Sequence, residues 1–115
     1  MKRQSVAVLF AALFLSCEAV AQDLSSANVV MESCRHLTAG SPSDQFGQGV
    51  CAGAVGAIFS VGAGFGVCAP QGVTRGQTVR VVMAYIDSRP ARLHESFYAL
   101  ALEALKNAWP CRGSQ

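Results

Sequence analysis

The sequence contains few charged residues and lacks the residue spacings that mark common metal and nucleic-acid sites. Only 14% of its 115 residues are charged. Its cysteines and its two histidines show no CxxC or HxxxH spacing, which zinc ligands usually follow. Lys and Arg are not clustered, as they are in proteins that bind nucleic acids. We therefore predict that the protein binds neither a metal ion nor a nucleic acid.

Catalytic groups in a usable arrangement are also missing. His94 is followed by Glu95 and Ser96, but these residues lie near a predicted helix start, where Ser and Glu commonly act as caps. No third partner follows at a spacing typical of a catalytic triad. The glycine-rich stretch lacks the Lys-Ser/Thr ending of a phosphate-binding loop. We predict that the protein is not an enzyme and needs no cofactor.

The first residues are typical of a secretory signal peptide. Two basic residues precede an apolar run at residues 6–15, and a small-x-small cleavage site ends at Ala21. The apolar run is shorter than the roughly 20 residues that cross a bilayer. We predict a signal peptide over residues 1–21 and one mature domain over residues 22–115.

Cys17 decides how many cysteines the mature chain keeps. It could be the lipidated residue of a lipoprotein, but the three residues before it match that signal poorly. Cleavage after Ala21 removes Cys17 and leaves four cysteines, at positions 34, 51, 68 and 111. The core of an exported chain of this size is marginal, and its compartment is oxidising. We therefore predict two disulfide bonds.

The mature chain is predicted to begin with one helix and to continue into a second, uncharged one. Asp23 or Ser25 can cap the first helix, which apolar spacing places at residues 24–37. Residues 45–74 carry no charge. Their apolar stripe consists of Val50, Ala54, Ile58, Val61 and Phe65. We predict that this second helix is buried. Because each glycine inside it costs about 1 kcal/mol relative to Ala, we expect another backbone to approach it closely.

Two further helices complete the predicted fold. Thr74 and Gln77 form a capping box at the start of the third helix, which should end just before Pro90. Pro90 can begin the fourth helix, which runs to Trp109. The fold class is therefore all-α, a small disulfide-stapled bundle of about four helices.

A membrane-spanning helix is the alternative interpretation of residues 45–74. The stretch contains Gly49-x-x-x-Gly53 and Gly62-x-x-x-Gly66, a spacing found where membrane helices pack. It is poor in Leu, however, and lacks the basic and aromatic flanks of such helices. One of its two cysteines would also face a reducing compartment. We predict no stable membrane span after signal cleavage.

Helix length limits which cysteines can meet. In an uninterrupted helix Cys51 and Cys68 stand about 25 Å apart, whereas the Cα atoms of a disulfide lie within about 7 Å. Antiparallel packing of the first two helices brings Cys34 to Cys51 and leaves Cys68 for Cys111. We favour this pairing over the crossed pattern of Cys34–Cys68 with Cys51–Cys111.

An ordered set of motifs across nearly the whole mature chain resembles the Rap/Tai family, whose characterised members are type VI secretion immunity proteins. No single motif is specific, but their order is, and Cys34 upstream also fits. The motifs are Cys51-x-Gly53, Cys68-x-Pro70-x-Gly72-Val73-Thr74-x-x-Gln77, Val81-Val82-x-x-Tyr85-Ile86-x-x-x-Pro90, Leu93-His94, Ala101-Leu102-x-Ala104 and Trp109-Pro110-Cys111.

The resemblance implies a small helical protein of the periplasm that binds a cognate peptidoglycan amidase effector delivered by sister cells. Such a protein blocks the cleft of the amidase by occlusion and catalyses no reaction of its own. Family members act as dimers, so the resemblance also implies a homodimer. Inhibitory residues vary with the toxin, and therefore none can be transferred by motif.

The candidate partner-binding segment is the connector between the third and fourth predicted helices. It is polar, stiffened by proline and rich in arginine, which suits a preorganised plug. The alternative is an ordinary solvated turn. Its residues are Asp87, Ser88, Arg89, Pro90, Ala91 and Arg92.

Two departures from the family pattern bear on partner geometry. Residues 54–66 are nearly all apolar or Gly, where the family usually has a more polar helix, and this suggests a buried dimer face. Arg89 replaces a common His before Pro90. A competing function is that of an orphan envelope protein with a structural or chaperone-like stress role on the same scaffold. An effector gene beside this one would favour immunity.

Overall fold

Four α-helices make up the bundle in the computed structural model, which describes residues 23–112. No strand occurs within this part of the chain, so the all-α prediction is confirmed. The predicted signal peptide and Cys17 lie outside the described residues. The helices are α1 (Ala27–Thr38), α2 (Gln45–Ser60), α3 (Arg75–Asp87) and α4 (Phe97–Ala108), with short 3-10 helices at Gly62–Phe65 and Pro90–Arg92.

Side-chain caps begin three of the four helices. The Asp44 carboxylate accepts a hydrogen bond from the backbone of Gly47 at 3.2 Å. Thr74 Oγ1 accepts from the Gln77 amide at 3.1 Å, which is the first half of the predicted capping box. Ser96 Oγ accepts from the amide of Ala99 at the start of α4. Each cap satisfies a backbone donor that has no partner inside its helix.

α1 begins later than its apolar spacing indicates, with Ser26 rather than Asp23 or Ser25 at the N-cap. Ser26 makes no side-chain cap. Instead the amides of Ala27 and Asn28 donate to the carbonyls of Glu95 and Leu93, at 2.9 and 2.8 Å. A segment distant in sequence therefore supplies the cap.

The same segment displaces the start of α4. Pro90 begins a 3-10 helix of three residues, and α4 starts only at Phe97, so the prediction that Pro90 begins the fourth helix is wrong. The carbonyls of Leu93 and Glu95 are held by α1, and the amide of Phe97 donates to Ser25 at 2.7 Å. These tertiary hydrogen bonds outweigh the helical preference of the segment.

Apolar side chains from all four helices fill the interior. α3 places Val79, Val82 and Ile86 there at steps of three and four, the spacing of a helix with one buried face, while Met83 is half-buried. Burying a side chain of this size stabilises the fold by about 1.5 to 3 kcal/mol. The largest fully buried side chains are Phe97, Met31, Ile86, Leu100, Leu105, Val30 and Val55.

The prediction that the second helix is buried is wrong. Within α2 only Gly47, Cys51 and Val55 are buried, one residue per turn. Val61 and Phe65, at the end of the predicted stripe, are 56% and 58% exposed. In the part of the chain that the structure describes, α1, α3 and α4 cover one side of α2 and no element covers the other.

Close approach of another segment is found at one glycine of the predicted second helix, Gly62, where a Cβ atom would lie 2.9 Å from the Val67 side chain and 3.4 Å from its carbonyl oxygen. Most glycines of α2 itself do not mark such an approach. A Cβ atom built at Gly49 or Gly53 would meet nothing within 4 Å. Gly47 is different, because a Cβ there would collide with the side chains of Ser33 and Asp44. Ser33 Oγ donates to that carboxylate at 2.6 Å, so Gly47 leaves room for the hydrogen bond that joins α1 to the α2 cap.

Two disulfide bonds close the bundle with the pairing favoured above. Cys34–Cys51 joins α1 to α2, with a Cα–Cα distance of 5.4 Å, and both cysteines are fully buried. Cys68–Cys111 joins the chain after the first 3-10 helix to the chain after α4, at 4.8 Å. Backbone hydrogen bonds flank the second bond, from Cys68 to Trp109 at 2.8 Å and from Cys111 to Gly66 at 3.3 Å.

Removing either disulfide should strongly lower the free energy of unfolding. The bonded cysteines are 17 and 43 residues apart, for which loop-closure entropy gives losses of about 3 and about 4 kcal/mol. Cys34→Ala/Cys51→Ala and Cys68→Ala/Cys111→Ala can be compared with the oxidised protein by urea unfolding followed by circular dichroism. Losses below about 1 kcal/mol for both variants would contradict this prediction.

Candidate functional site

The connector between α3 and α4 (residues 87–92) forms one continuous surface segment. Asp87 is the last residue of α3, and residues 90–92 form the second 3-10 helix. Asp87, Ser88, Pro90 and Ala91 are exposed, whereas Arg89 and Arg92 are half-buried. The six predicted residues thus lie together, but the two arginines face partly inward.

Arg92 joins the connector to α4 through two carboxylates. Its Nε and Nη2 atoms donate to the two oxygens of Glu95, at 2.9 and 2.8 Å. Its Nη1 and Nη2 atoms donate to Glu103, at 2.8 and 3.0 Å. Such paired hydrogen bonds fix the orientation of a guanidinium more tightly than a single contact does. We name this cluster of Arg92, Glu95 and Glu103 the arginine clamp.

The clamp shifts the pKa values of its members in the directions that favour charge. Hydrogen bonds from Arg92 lower the pKa of Glu95 and of Glu103. Hydrogen bonds to the same two carboxylates raise the pKa of Arg92. All three groups therefore stay ionised at neutral pH.

Arg89 is held against α3. Its Nη1 donates to the Tyr85 carbonyl at 2.8 Å and to Ser88 Oγ at 2.6 Å, and its Cζ lies 3.6 Å from the centre of the Tyr85 ring. This is a cation–π contact. The hydroxyl of Tyr85 donates to Glu103 at 3.1 Å, so the Arg89 stack and the arginine clamp form one network.

Asp87 is also engaged within the chain. It accepts a hydrogen bond from Arg35 of α1 at 2.8 Å. Arg92 and Asp87 therefore both form ion pairs within the chain, which orient their side chains before any partner binds. Ser88, Pro90 and Ala91 are exposed. The Ser88 hydroxyl donates to the Tyr85 carbonyl at 2.7 Å and accepts from Arg89.

Sequence reasoning missed three residues that shape this site: Tyr85, Glu95 and Glu103. The spacing of Arg92 and Glu95 could have indicated an i, i+3 pair. Glu103 lies on α4, and Tyr85 lies on α3. Because the fold alone brings these two together, no local pattern points to either.

A second surface is an apolar groove between α2 and α4. Its volume is about 470 Å³, and none of the charged side chains of residues 23–112 lines it. Tyr98 on its α4 side is 41% exposed. The lining residues are Ala57, Ile58, Val61, Phe65, Tyr98, Ala99 and Leu102.

The polar side chains near the two histidines take part in contacts within the chain. Ser96 caps α4 and Glu95 belongs to the arginine clamp, so the residues beside His94 are already in use. His36 Nε2 lies 3.7 Å from Glu32. Among residues 23–112 no group of three His, Cys, Asp or Glu side chains could hold a metal ion. In the same part of the chain, no helix has the length and hydropathy needed to cross a membrane.

The fold is that of a small helical bundle joined by two disulfides. A family model described as Rap1a immunity proteins matches residues 21–111. The chain therefore belongs to the Rap1a immunity protein family, which supports the Rap/Tai resemblance, and as an immunity protein it is not an enzyme. Neither the curated proteins nor the solved structures compared with it include a match.

Replacing Arg92 with Gln should reduce the sensitivity of stability to acid. Arg92 holds the pKa values of Glu95 and Glu103 below their ordinary value of 4.5. A carboxyl whose pKa is lowered on folding stabilises the fold above its unfolded pKa, and this contribution is lost as the pH falls through its folded pKa. Urea unfolding below pH 4.5 should therefore show a smaller loss in Arg92→Gln than in the wild type.

The matched control is Arg80→Gln, because Arg80 belongs to no ion pair within the described residues. This variant should keep the acid dependence of the wild type. An equal acid dependence in Arg92→Gln and the wild type would contradict the assignment of the clamp.

Proposed function

We propose that this protein is a periplasmic immunity protein that binds a type VI secretion peptidoglycan amidase and blocks its active-site cleft. The observation that carries the proposal is the family match over residues 21–111, which covers nearly the whole predicted mature domain. Immunity proteins act by binding a cognate effector, so the function needs a surface rather than a catalytic centre.

The predicted signal peptide and the two disulfides support the periplasm as the site of action. The peptidoglycan that an amidase cleaves lies in that compartment. The predicted signal peptide over residues 1–21 would direct the chain there. Both disulfides require an oxidising environment to persist. An inhibitor in the periplasm would meet the effector where it acts.

We propose that the connector enters the cleft of the amidase. Arg92 fixes it to α4, Arg89 is stacked on Tyr85, and Pro90 restricts its backbone. A segment already held in one conformation loses little conformational entropy on binding, which favours affinity. The exposed atoms of Ser88, Pro90 and Ala91 would exclude substrate from the cleft without any chemical step.

We also propose that two copies associate through the apolar groove. The groove carries no charge, and Val61, Phe65 and Tyr98 expose large apolar surfaces around it. Covering such a patch removes apolar area from water. A twofold dimer suits the arrangement, because one patch can supply both the groove and the side chains that fill it.

Binding to the amidase can be tested with the oxidised mature protein and the product of the adjacent open reading frame. The wild type should bind this product and suppress its hydrolysis of peptidoglycan. Ala91→Trp adds bulk at an exposed position of the connector, and Arg89→Glu reverses a charge and removes the stack on Tyr85. Each variant should weaken binding about tenfold or more, as measured by calorimetry.

Lys106→Glu provides the control, since it reverses the charge of an exposed side chain on α4 outside the connector. It should inhibit as well as the wild type. Full inhibition by both connector variants would exclude the connector as the inhibitory surface. If the wild type does not bind a folded, active amidase from the neighbouring gene, cognate immunity is wrong and an orphan envelope role is favoured.

Dimer formation can be tested with Val61→Asp, which places a charge in the apolar groove. Sedimentation equilibrium should show a dimer for the wild type and a monomer for this variant, because an unpaired buried carboxylate is costly. Gln71→Asp adds the same charge at an exposed position outside the groove and should remain dimeric. A wild type that is monomeric at all concentrations would contradict the proposal.

A further inference from the structure

The carboxylates of residues 23–112 all have partners within the chain. Some form ion pairs with arginine, and others accept hydrogen bonds from serine hydroxyls. The partners are Ser25 for Asp23, Arg35 and His36 for Glu32, Ser33 for Asp44, Arg35 for Asp87, and Arg92 for Glu95 and Glu103. The negative charge of this part of the chain is therefore neutralised or hydrogen-bonded internally.

The positive charge is distributed differently. Arg75 and Arg80 are both exposed and lie in the first two turns of α3. No carboxylate of the described residues pairs with either guanidinium. Two like charges thus lie on the same helix with no internal acid to balance them, and an acidic group from outside would be attracted to both.

These guanidinium groups also rest on the protein surface. The Nε atom of Arg75 would lie 3.7 Å from a Cβ atom built on Gly56, so the side chain packs against the backbone of α2. Nη1 of Arg80 would lie 3.1 Å from a Cβ atom on Gly76. Both side chains therefore lie close to glycine backbone while they remain exposed.

Two cavities flank Arg75. One has a volume of about 230 Å³ and also contacts Phe59, Ser60 and Thr78. The other has a volume of about 240 Å³, and its lining includes Thr38, Ala52 and Arg80. Both combine apolar and polar walls. A glutamate or aspartate side chain fits such a place, since its stem can contact the apolar wall while its carboxylate reaches a guanidinium.

We propose that this arginine face (Arg75, Arg80 and the two cavities) binds an acidic segment of the partner protein. The inference rests on the proposed function in taking the amidase as that partner. The twelve residue steps from Arg75 to Asp87 in α3 place the face about 18 Å from the connector. The partner would then be held at two points: the connector fills the cleft, and the arginine face attracts an acidic segment beside it.

A protein segment suits the face better than a membrane or a nucleic acid. Binding to anionic lipid typically uses four to eight clustered basic residues, and nucleic-acid binding neutralises several phosphates. This face has two arginines and concave walls with apolar parts. Short acidic segments with apolar stems match this arrangement.

The first experiment does not depend on the amidase. A ten-residue peptide of alternating Glu and Ala, and the same peptide with Gln in place of Glu, are titrated into the oxidised protein while amide and arginine Nε resonances are followed. The Glu peptide should shift the resonances of residues 75–80, and the Gln peptide should not. Arg75→Gln/Arg80→Gln should weaken binding about fivefold or more, while Lys106→Gln should change it less than twofold.

Other results of this titration would overturn the inference. These are no saturable shift with the Glu peptide, equal shifts with the Gln peptide, or equal weakening by Lys106→Gln. Binding to vesicles of anionic phospholipid through Arg75 and Arg80, without binding to the Glu peptide, would also overturn it and would indicate a membrane surface instead.

The second experiment uses the amidase and separates the two proposals. The Arg75→Gln/Arg80→Gln variant should associate with the amidase more slowly than the wild type at low salt. At high salt the two association rates should be nearly equal, because salt screens the charges. If the wild type does not bind the amidase, the proposed function fails and the peptide titration still decides the present inference. If the wild type binds the amidase and the double variant associates at the same rate, the arginine face is excluded as a binding surface, but the proposed function is not.

Discussion

The disulfide between Cys34 and Cys51 is the constraint on which the rest of the bundle depends. α2 buries only Gly47, Cys51 and Val55 completely. Its other inward residues, Val50, Ala54 and Ile58, pack against the core but are only partly buried, so each contributes less than a fully buried side chain. The buried covalent bond to α1 adds to this partial packing. Because a bond holds the helix in place, its outer face can stay apolar and exposed. A stable attachment and an exposed apolar face thus coexist on one short, glycine-rich helix.

Ion pairs and a cation–π contact hold the connector in place, because its side chains are not packed into the core. Residues 88–91 contribute no buried side chain, and such a segment would ordinarily sample many conformations. Arg92, which follows this segment, binds Glu95 and Glu103, and Arg89 stacks on Tyr85. The exposed ion pairs contribute little to global stability individually. Their effect is local, because several bonds with fixed geometry hold one short segment against α3 and α4.

Local patterns in the sequence could predict the helices, but not what they contact. The cap at Thr74 and the inward residues of α3 follow from neighbouring residues and helical spacing. The start of α4 does not, because the carbonyls of Leu93 and Glu95 are held by the first turn of α1. The burial of α2 was overestimated for a related reason. An apolar stripe shows that a face avoids water, but it does not show whether this chain or a partner covers that face.

The geometry of the candidate site was predictable to a similar depth. Proline and charge made the connector a candidate, whereas the pairing of Arg92 with Glu103 depends on how α4 packs and has no local signal. That pairing changes how the segment is interpreted, since Arg92 already binds two carboxylates of this protein. Among residues 23–112, some arginines pair with carboxylates of the chain and others do not. Arg35 and Arg92 bind the carboxylates of this protein, whereas Arg75 and Arg80 meet none within the described residues. Charges that the fold does not neutralise are the ones through which a protein without catalytic groups can select its partner.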